Sequence, residues 1–583
     1  MRIAIIDKEK CAPNVSNYAC MNICPRNRAG DKCIYKGEDT KVIIDEDICI
    51  GCGLCVKKCP KNAIMIVNTP EKLGEKPMHR FGQNGFTLFR LPFPIKGEVV
   101  GLLGSNGTGK STALKILSGE IKPNLGTGNE AEERDLVNIF RGTELQSYLE
   151  KLKEGVKVVV KPQKIDILSE VKGNVSDLLE KYNERGAKDE VVKKLSLTHV
   201  LDRELNQLSG GELQRVAIAV AAMREADFYF FDEPSSYLDV YQRMEAGKLI
   251  RELAKDAAVM VVEHDLALLD FLADRIHILY GAPGAYGIVS KPYGTRIGIN
   301  TFLEGYVKED NVRFRPEKLE FRVSKGDVGT GNEVYFTWEG LKKKFEGFKI
   351  NVGDGKIFNG EILGIFGSNA LGKTTFAKML SGEIKADSGK VSKELVISYK
   401  PQYISSNFTG TVIDLFGQLI DNPHSEDFRG SILRPLGIER LLENKVSSLS
   451  GGELQRVSIA ICLAKDADLY LLDEPSAYLD VEQRLAAAKT IQKICERKEK
   501  SAMIIDHDLL FLHYLSDRAM LFSGKPSIDG RAEQFELEEG FNKFLKNVNI
   551  TFRADPQTKR PRANKPDSQK DVEQKKNNKY FLS

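Results

Sequence analysis

The sequence predicts an α/β protein with two copies of one nucleotide-binding domain behind a small α+β domain that binds metal. Three observations carry that prediction. The octapeptide Leu-Ser-Gly-Gly-Glu-Leu-Gln-Arg occurs twice, at residues 208–215 and 449–456. Each copy lies between a glycine-rich phosphate loop and an Asp-Glu pair. Eight of the 10 cysteines fall between Cys11 and Cys59.

Both phosphate loops fit the pattern G-x-x-x-x-G-K-S/T. The first comprises Gly104, Ser105, Asn106, Gly107, Thr108, Gly109, Lys110, Ser111 and Thr112. The second comprises Gly367, Ser368, Asn369, Ala370, Leu371, Gly372, Lys373, Thr374 and Thr375. Each follows a short apolar run and precedes a helical pattern, the strand-loop-helix context the motif requires. Its glycines let backbone amides close around phosphate, and the helix N-terminus adds partial positive charge. Lys110 and Lys373 then reach the terminal phosphates, and Ser111 and Thr374 stand where Mg²⁺ is held.

Downstream, the apolar runs 228–231 and 469–472 end in Asp232-Glu233 and Asp473-Glu474. A strand buried on both faces exposes its acids only at its carboxyl end, where α/β folds place ligands. Asp232 and Asp473 are expected to orient Mg²⁺. Glu233 and Glu474 are expected to polarise the attacking water.

In this order the motifs resemble the ATP-binding-cassette superfamily. The resemblance implies lid-loop glutamines at Gln163 and Gln402, which sense Mg²⁺ and the water. It implies switch histidines at His264 and His507, and loops linking the sites at Ser236 to Asp239 and Ala477 to Asp480. Ala477 departs from the usual serine, so the two sites are expected to be unequal. The family sandwiches each ATP between cassettes, which pairs Lys110 with Ser450, Gly451 and Gly452, and Lys373 with Ser209, Gly210 and Gly211. Phe81 and Phe345 are candidates for stacking on adenine.

Four of the clustered cysteines have the spacing Cys49-x2-Cys52-x2-Cys55-x3-Cys59-Pro60 of a four-iron ferredoxin site. The last Cys of each run in such domains ligates the other cluster. One cluster is therefore expected on Cys24, Cys49, Cys52 and Cys55, and a second on Cys11, Cys20, Cys33 and Cys59. Zinc is the alternative, but this run ending in Pro is not a zinc-ribbon pattern. Disulfides would need an oxidising compartment, and the first residues lack an apolar signal core.

A ferredoxin-like head on twin cassettes, with residues 284–294 between them and the tail Thr551 to Pro556 and Arg560 to Lys565, closely resembles the ABC-E subfamily, also called the RNase L inhibitor family. The resemblance implies a cytoplasmic ATPase that uses ATP, Mg²⁺ and two four-iron clusters to split ribosomes into subunits. It implies as partners the small subunit, ribosomal RNA and proteins, a release factor or its rescue paralogue, and initiation factors. The expected state is a monomer whose two cassettes pair within the chain.

The expected domains are an iron–sulfur head (1–72), a first cassette (73–290), a first hinge (291–318), a second cassette (319–526), and a second hinge with a basic tail (527–583). At 583 residues, several domains are the prior. A net charge of +3 does not itself signal nucleic acid, so any ribosome surface must be local. The Lys110 to Gln163 interval is 24 residues longer than Lys373 to Gln402. Within that insertion (about 121–157), Arg134 to Phe140 and Leu145 to Leu152 read as two short amphipathic helices around Gly142. The resemblance implies that both connecting stretches form a hinge whose basic residues, Lys291, Arg296, Arg313 and Arg315 in the first, face ribosomal RNA; residues 559–579 are polar enough to be disordered alone.

Two other readings compete. A transporter ATPase subunit would give no reason for the head or the insertion. A DNA-repair or chromosome ATPase would call for long heptad runs, and none exists in the sequence.

Overall fold

The computed structural model describes residues 2–8, 10–46, 48–61, 63–68, 77–82, 84–127, 136, 139–321, 333–401 and 408–582. The chain forms two compact units. One comprises Met1–Pro234, Lys248–His264 and Leu272–Lys318, and the other Ser235–Gly247, Asp265–Phe271 and Leu319–Ser583.

The first unit contains the cysteine-rich head and a sheet of nine strands among the described residues. Strands Arg275–Ala282, Val99–Gly104, Ala258–Val262, Phe228–Asp232 and Val158–Lys161 run parallel, in that spatial order. The inner strands are apolar along their length because both faces are covered, and Val99–Gly104, Phe228–Asp232 and Ala258–Val262 are buried throughout. Tyr286–Val289, Thr87–Phe89 and His79–Arg80 extend the sheet beyond Arg275–Ala282.

The head is built on the antiparallel pair Arg2–Ile6 and Ile64–Asn68 and the hairpin Ile34–Lys36 with Val42–Ile44. Its core mixes aliphatics with Cys20, Cys24, Cys33, Cys49 and Cys55. Ile5 and Val67 pack on Ala285, in the turn between strands Arg275–Ala282 and Tyr286–Val289 of the cassette. Nearby, Asn84 accepts the Ile44 amide at 2.6 Å, and its side-chain NH₂ donates to Glu46 at 2.9 Å. Arg80 pairs with the same Glu46.

The insertion's second helix runs over Glu144–Glu154, with Thr143 accepting the Gln146 amide at its start and Gly155 in the left-handed region at its end. Tyr148 sinks it into the cassette, donating its hydroxyl to the Leu117 carbonyl and meeting Phe228 edge-on. The helix expected over Arg134 to Phe140 lies mostly outside the described residues.

In the second unit, Ile397–Lys400, Leu469–Asp473, Ser501–Ile505, Ile362–Gly367 and Arg518–Lys525 repeat the parallel core within a sheet of ten described strands. The chain's one tryptophan, Trp338, is fully buried beside Phe336 and Phe376, and its indole N–H donates to Gly353 O at 3.0 Å. Strand Asp529–Glu536 pairs with both Arg518–Lys525 and Lys349–Val352, so the sheet continues past residue 526, where the sequence suggested its end. Helix Leu537–Asn547 then packs Phe541 and Phe544 on Phe366.

The structure bears on two expectations about connecting segments. The polar tail is folded: Phe552–Ala554, Pro561–Ala563 and Phe581–Leu582 form a sheet, beside helix Gln569–Lys576. Several of its polar side chains are paired inside the unit, with Thr551 donating to Asp571 (2.6 Å), Asn564 to Gln574 (2.6 Å) and Gln574 to Phe552 O (2.9 Å). A composition that cannot build its own core is ordered here by hydrogen bonds and by the fully buried pair Arg560–Asp270. In the first hinge, Arg315 does not face outward. Its guanidinium donates to Phe302 O (3.0 Å) and Leu303 O (3.1 Å), closing the C-terminus of helix Thr295–Glu304, and lies over Phe302 and Phe314. Arg313 remains exposed.

Candidate functional site

Each phosphate loop leaves the carboxyl end of the central strand of its sheet and enters a helix, Lys110–Leu117 in one copy and Lys373–Leu380 in the other. The helices begin at Gly109 (φ +93°) and Gly372 (φ +95°), a region costly for residues with a Cβ. A Cβ there would meet Phe86 at 2.6 Å or Ile350 at 2.7 Å. The loops differ two residues earlier, where Gly107 has φ +79° and its counterpart Ala370 has φ +59°.

The lysines curl back over their loops. Lys110 Nζ donates to Gly104 O (2.8 Å) and Ser105 O (3.0 Å), and Lys373 Nζ to Gly367 O (2.6 Å) and Ser368 O (3.0 Å). Burial pushes the Lys373 ammonium down to about 8, still mostly charged at neutral pH. The residues after them reach the acids, Ser111 Oγ donating to Asp232 Oδ2 at 2.9 Å and Thr374 Oγ1 to Asp473 Oδ2 at 2.8 Å. Burial raises both aspartates above the usual carboxylate range. The other oxygen of Asp232, Oδ1, is buried and has no hydrogen-bond partner among the described residues. A hydroxyl and a desolvated carboxylate with free lone pairs suit a hard cation such as Mg²⁺.

Glu233 and Glu474 both adopt φ +47°. Gln163 Nε2 donates to Glu233 Oε1 at 2.7 Å, and His264 Nε2 lies 3.7 Å from the same oxygen. In the second copy His507 Nε2 lies 3.5 Å from Glu474 Oε1 and 3.5 Å from Lys373 Nζ. Burial, then Lys373 and Arg243, hold His507 well below its ordinary pKa, so its ring is neutral. Gln402 lies outside the described residues.

The signature residues Ser209 and Ser450 cap helices Gly210–Met223 and Gly451–Ala464 in capping boxes with Glu212 and Glu453. Gly210, Gly211, Gly451 and Gly452 form the first turns. Within the second unit, Asn369 N of the phosphate loop donates to Asp239 Oδ2 at 2.9 Å. Phe81 and Phe345 are both substantially exposed.

Sequence reasoning gave no role to Lys161 and Lys400, though they open the Lys-Pro-Gln segments. Both are fully buried. Lys161 Nζ donates to the carbonyl of Asp232 at 3.0 Å, Lys400 Nζ to that of Asp473 at 2.7 Å. Burial lowers each to about 8. Gln214 and Gln455 also brace the turns, donating to Glu233 O (2.9 Å) and Glu474 O (2.6 Å). A lysine ending the strand just before Pro-Gln, in both copies, was the available signal.

The head's cysteines ring two cavities. The first is lined by Cys24, Cys33, Cys49, Cys52 and Cys55, the second by Cys11, Cys20 and Cys59 together with Ser16. Cys33 lines the first cavity, whereas the sequence assigned it to the second cluster with Cys11, Cys20 and Cys59. It leads into the hairpin strand Ile34–Lys36, which brings it beside Cys24 and Cys49. Backbone amides point at the sulfurs, Ala4 N and Gly51 N at Cys49 Sγ (3.4 and 3.5 Å) and Ala63 N at Cys59 Sγ (3.2 Å). Thiolates around one zinc stand about 3.8 Å apart. Among the described residues no three His, Cys, Asp or Glu side chains are arranged to hold a single ion. Clustered thiols that accept backbone amides fit iron–sulfur clusters.

Comparison with known proteins agrees with this geometry. A family model described as ABC transporter matches residues 94–236 and 351–477, and one described as 4Fe-4S binding domain matches 42–65. "ABC transporter E family member 1" of Arabidopsis thaliana is 46% identical, with 100% of this chain and 98% of the relative covered. The chain belongs to the ABC transporter E family. As a member of that family it is an ATPase that uses ATP and Mg²⁺ and binds an iron–sulfur cluster. Another similar chain, 52% identical, is the archaeal ribosome recycling factor solved with the ribosomal stalk protein aP1. The match has a TM-score of 0.83 and covers 87% of this chain and 99% of that one. A third, from a structure described as a model of ribosome-bound archaeal Pelota and ABCE1, is 52% identical with a TM-score of 0.93 over 100% of this chain and 99% of that one. Although the family's name speaks of transport, no described helix is long and apolar enough to cross a membrane.

Proposed function

We propose that this ABC-E chain is an ATP-driven ribosome recycling factor that separates ribosomal subunits in the cytoplasm, acting with a release factor or its rescue paralogue. The observation that carries the reading is the joining, in one chain, of two phosphate-loop sites to a head with two cysteine-lined cavities. It is supported by full-length similarity to a ribosome recycling factor.

In this mechanism Lys110 and Lys373 leave their loop carbonyls for the phosphates of ATP. Ser111 and Asp232, with Gln163, hold Mg²⁺ in one site, and Thr374 and Asp473, with Gln402, hold it in the other. Glu233 and Glu474 take the proton of the attacking water. Neutral His507 donates to the γ-phosphate, with His264 its counterpart. Phe81 and Phe345 stack on adenine. Each signature helix presents its N-terminal amides to the γ-phosphate bound in the other cassette, so losing that phosphate removes the attraction. The Asn369–Asp239 bond already couples a phosphate loop to the loop after the other copy's acids. Driving such a clamp from mostly open to mostly closed takes about 5.5 kcal/mol of preferential binding, within reach of two nucleotides.

The head is proposed to carry two clusters, which supply structure and leverage. Its contacts through Ile5, Val67 and Asn84 fix it to the first cassette, so motion of that cassette reaches the ribosome through it. Sedimentation with ribosomal subunits tests the reading. Stable binding to the small subunit is expected with a non-hydrolysable ATP analogue and not with ADP, and indifference to nucleotide would oppose it.

A further inference from the structure

The switch histidine of the second site has its backbone held on both sides. On the amide side, Asp506 Oδ1 accepts His507 N at 2.7 Å and Asp508 N at 2.8 Å. On the carbonyl side, Arg243 Nη1 donates to His507 O at 3.4 Å. That arginine comes from the first copy. It lies on helix Val240–Leu253, just after the loop Ser236 to Asp239, in the stretch Ser235–Gly247 that belongs to the second unit.

Arg243 is itself fixed. Its Nε donates to Leu238 O and its Nη1 to Asp265 Oδ2, both at 2.8 Å. Asp265 turns its other oxygen to the amides of Ala267 (2.9 Å) and Leu268 (3.0 Å), capping helix Leu266–Leu272. The second copy repeats the arrangement. Arg484 Nε donates to Leu479 O at 2.8 Å and its Nη1 to Asp508 Oδ2 at 2.7 Å, while Asp508 Oδ1 caps helix Leu509–Leu515. Asp508 feels Asp265 as well as Arg484, so the two pairs form one cluster of balanced charge. A planar guanidinium meets three acceptors in a fixed fork, which a lysine ammonium does not.

We infer that Arg243 is a positioning residue of the second ATP site, holding the His507 backbone so that its ring stays at Glu474 and Lys373. This rests on the reading of His507 and Glu474 as catalytic residues of that site. Arg243 acts through His507 and not on the nucleotide. The loop it anchors through Leu238 O also meets the second phosphate loop, where Asn369 N donates to Asp239 Oδ2 at 2.9 Å. The first copy's loop therefore bears on the second site at two points, its phosphate loop and its switch histidine.

The test uses the full chain carrying Glu233→Gln, which silences the first site, so that turnover reports the second. Arg243→Met is expected to lower kcat about 10–100-fold with the KM for ATP within about twofold, the mark of a group that acts on reacting geometry and not on binding. Arg243→Met combined with Asp265→Asn leaves no stranded carboxylate and keeps an oxygen to cap the helix. It should behave alike, and it decides the matter if the single variant does not fold. In a His507→Ala background the loss is expected to vanish, because no ring is left to position. The inference is overturned by an unchanged kcat, by a KM that rises as kcat falls, or by a full further loss in the His507→Ala background, which would make Arg243 a purely structural residue. Adding Glu474→Gln should end the remaining turnover. Turnover that survives it would overturn the assignment of the second site, and this inference with it.

Discussion

Glu233 and Glu474 each sit in the left-handed backbone region at φ +47°, a conformation that costs a side-chain-bearing residue about 1–2 kcal/mol. The turns persist because Gln214 and Gln455 fasten the carbonyls of those glutamates, and Lys161 and Lys400 the carbonyls of the aspartates before them. Strain held by surrounding structure at a cleft is how a carboxylate is kept aimed. Glu233→Gln or Glu474→Gln is expected to slow single-site hydrolysis by about 10²–10⁴-fold while nucleotide affinity stays near the parent's, because the Mg²⁺ ligands are untouched. Rapid-quench turnover with filter binding checks both. The phosphate loops supply a second test. Ala370 at φ +59° occupies a position where the first loop has Gly107, so Ala370→Gly should stabilise the second unit by about 1 kcal/mol in denaturant unfolding. The same substitution logic predicts a loss for Gly107→Ala.

A third residue, His513, lies among Phe541 and Phe581, and burial lowers it to about 4. A histidine depressed in the fold contributes stability that is complete above its unfolded value, near 6.5, and is lost as pH falls toward 4. Buried aspartates with raised values act in the opposite sense, so the difference between variants is the clean measure. Between pH 6.5 and 4, His513→Phe should lose less stability than the parent by about 1.4 kcal/mol for each pH unit. Parallel losses would show that His513 is not the group titrating.

Among the elements, the tail depends on one buried ion pair. Arg560 and Asp270 are both fully buried, with Arg562 3.5 Å from the second oxygen of Asp270. Removing one partner strands a charge, so Asp270→Ala or Arg560→Met should cost about 3–5 kcal/mol and expose residues 549–582 to protease. The double variant should recover much of the loss, since a buried pair replaced by apolar groups is often neutral. Equal losses in single and double variants would make the effect one of packing alone.

The elements also show how far sequence reached. Phosphate loops, acids, signature helices and switch histidines were legible because each is a short stretch whose chemistry resides in contiguous residues. The contiguous run Cys49 to Cys59 was legible for the same reason. Which cavity Cys33 lines was not, because it depends on the hairpin that Ile34–Lys36 begins, and spacing does not encode that. Tail order was not legible because residues 551–582 pair polar groups with partners distant in sequence, Asp270 above all. Lys161 and Lys400 were in plain view, yet their targets are main-chain carbonyls on a neighbouring strand, which carry no sequence mark.

At the scale of the whole molecule, the chemistry is segregated. The residues proposed to contact phosphate lie at or beyond Gly104, and the cluster-binding residues at or before Cys59. The cassettes therefore supply free energy and the head transmits it. Ser209→Arg or Ser450→Arg, which places bulk at a helix start proposed to meet the γ-phosphate, should abolish subunit separation with ATP still bound. The most direct test of the central claim follows ribosomes by light scattering with release factor and ATP, comparing the full chain with a form lacking residues 1–72. The account predicts that scattering falls with the full chain and stays level with the shortened one, although both bind ATP equally. If the shortened chain lowered scattering at the full chain's rate, the head would not be the lever and the account would be wrong.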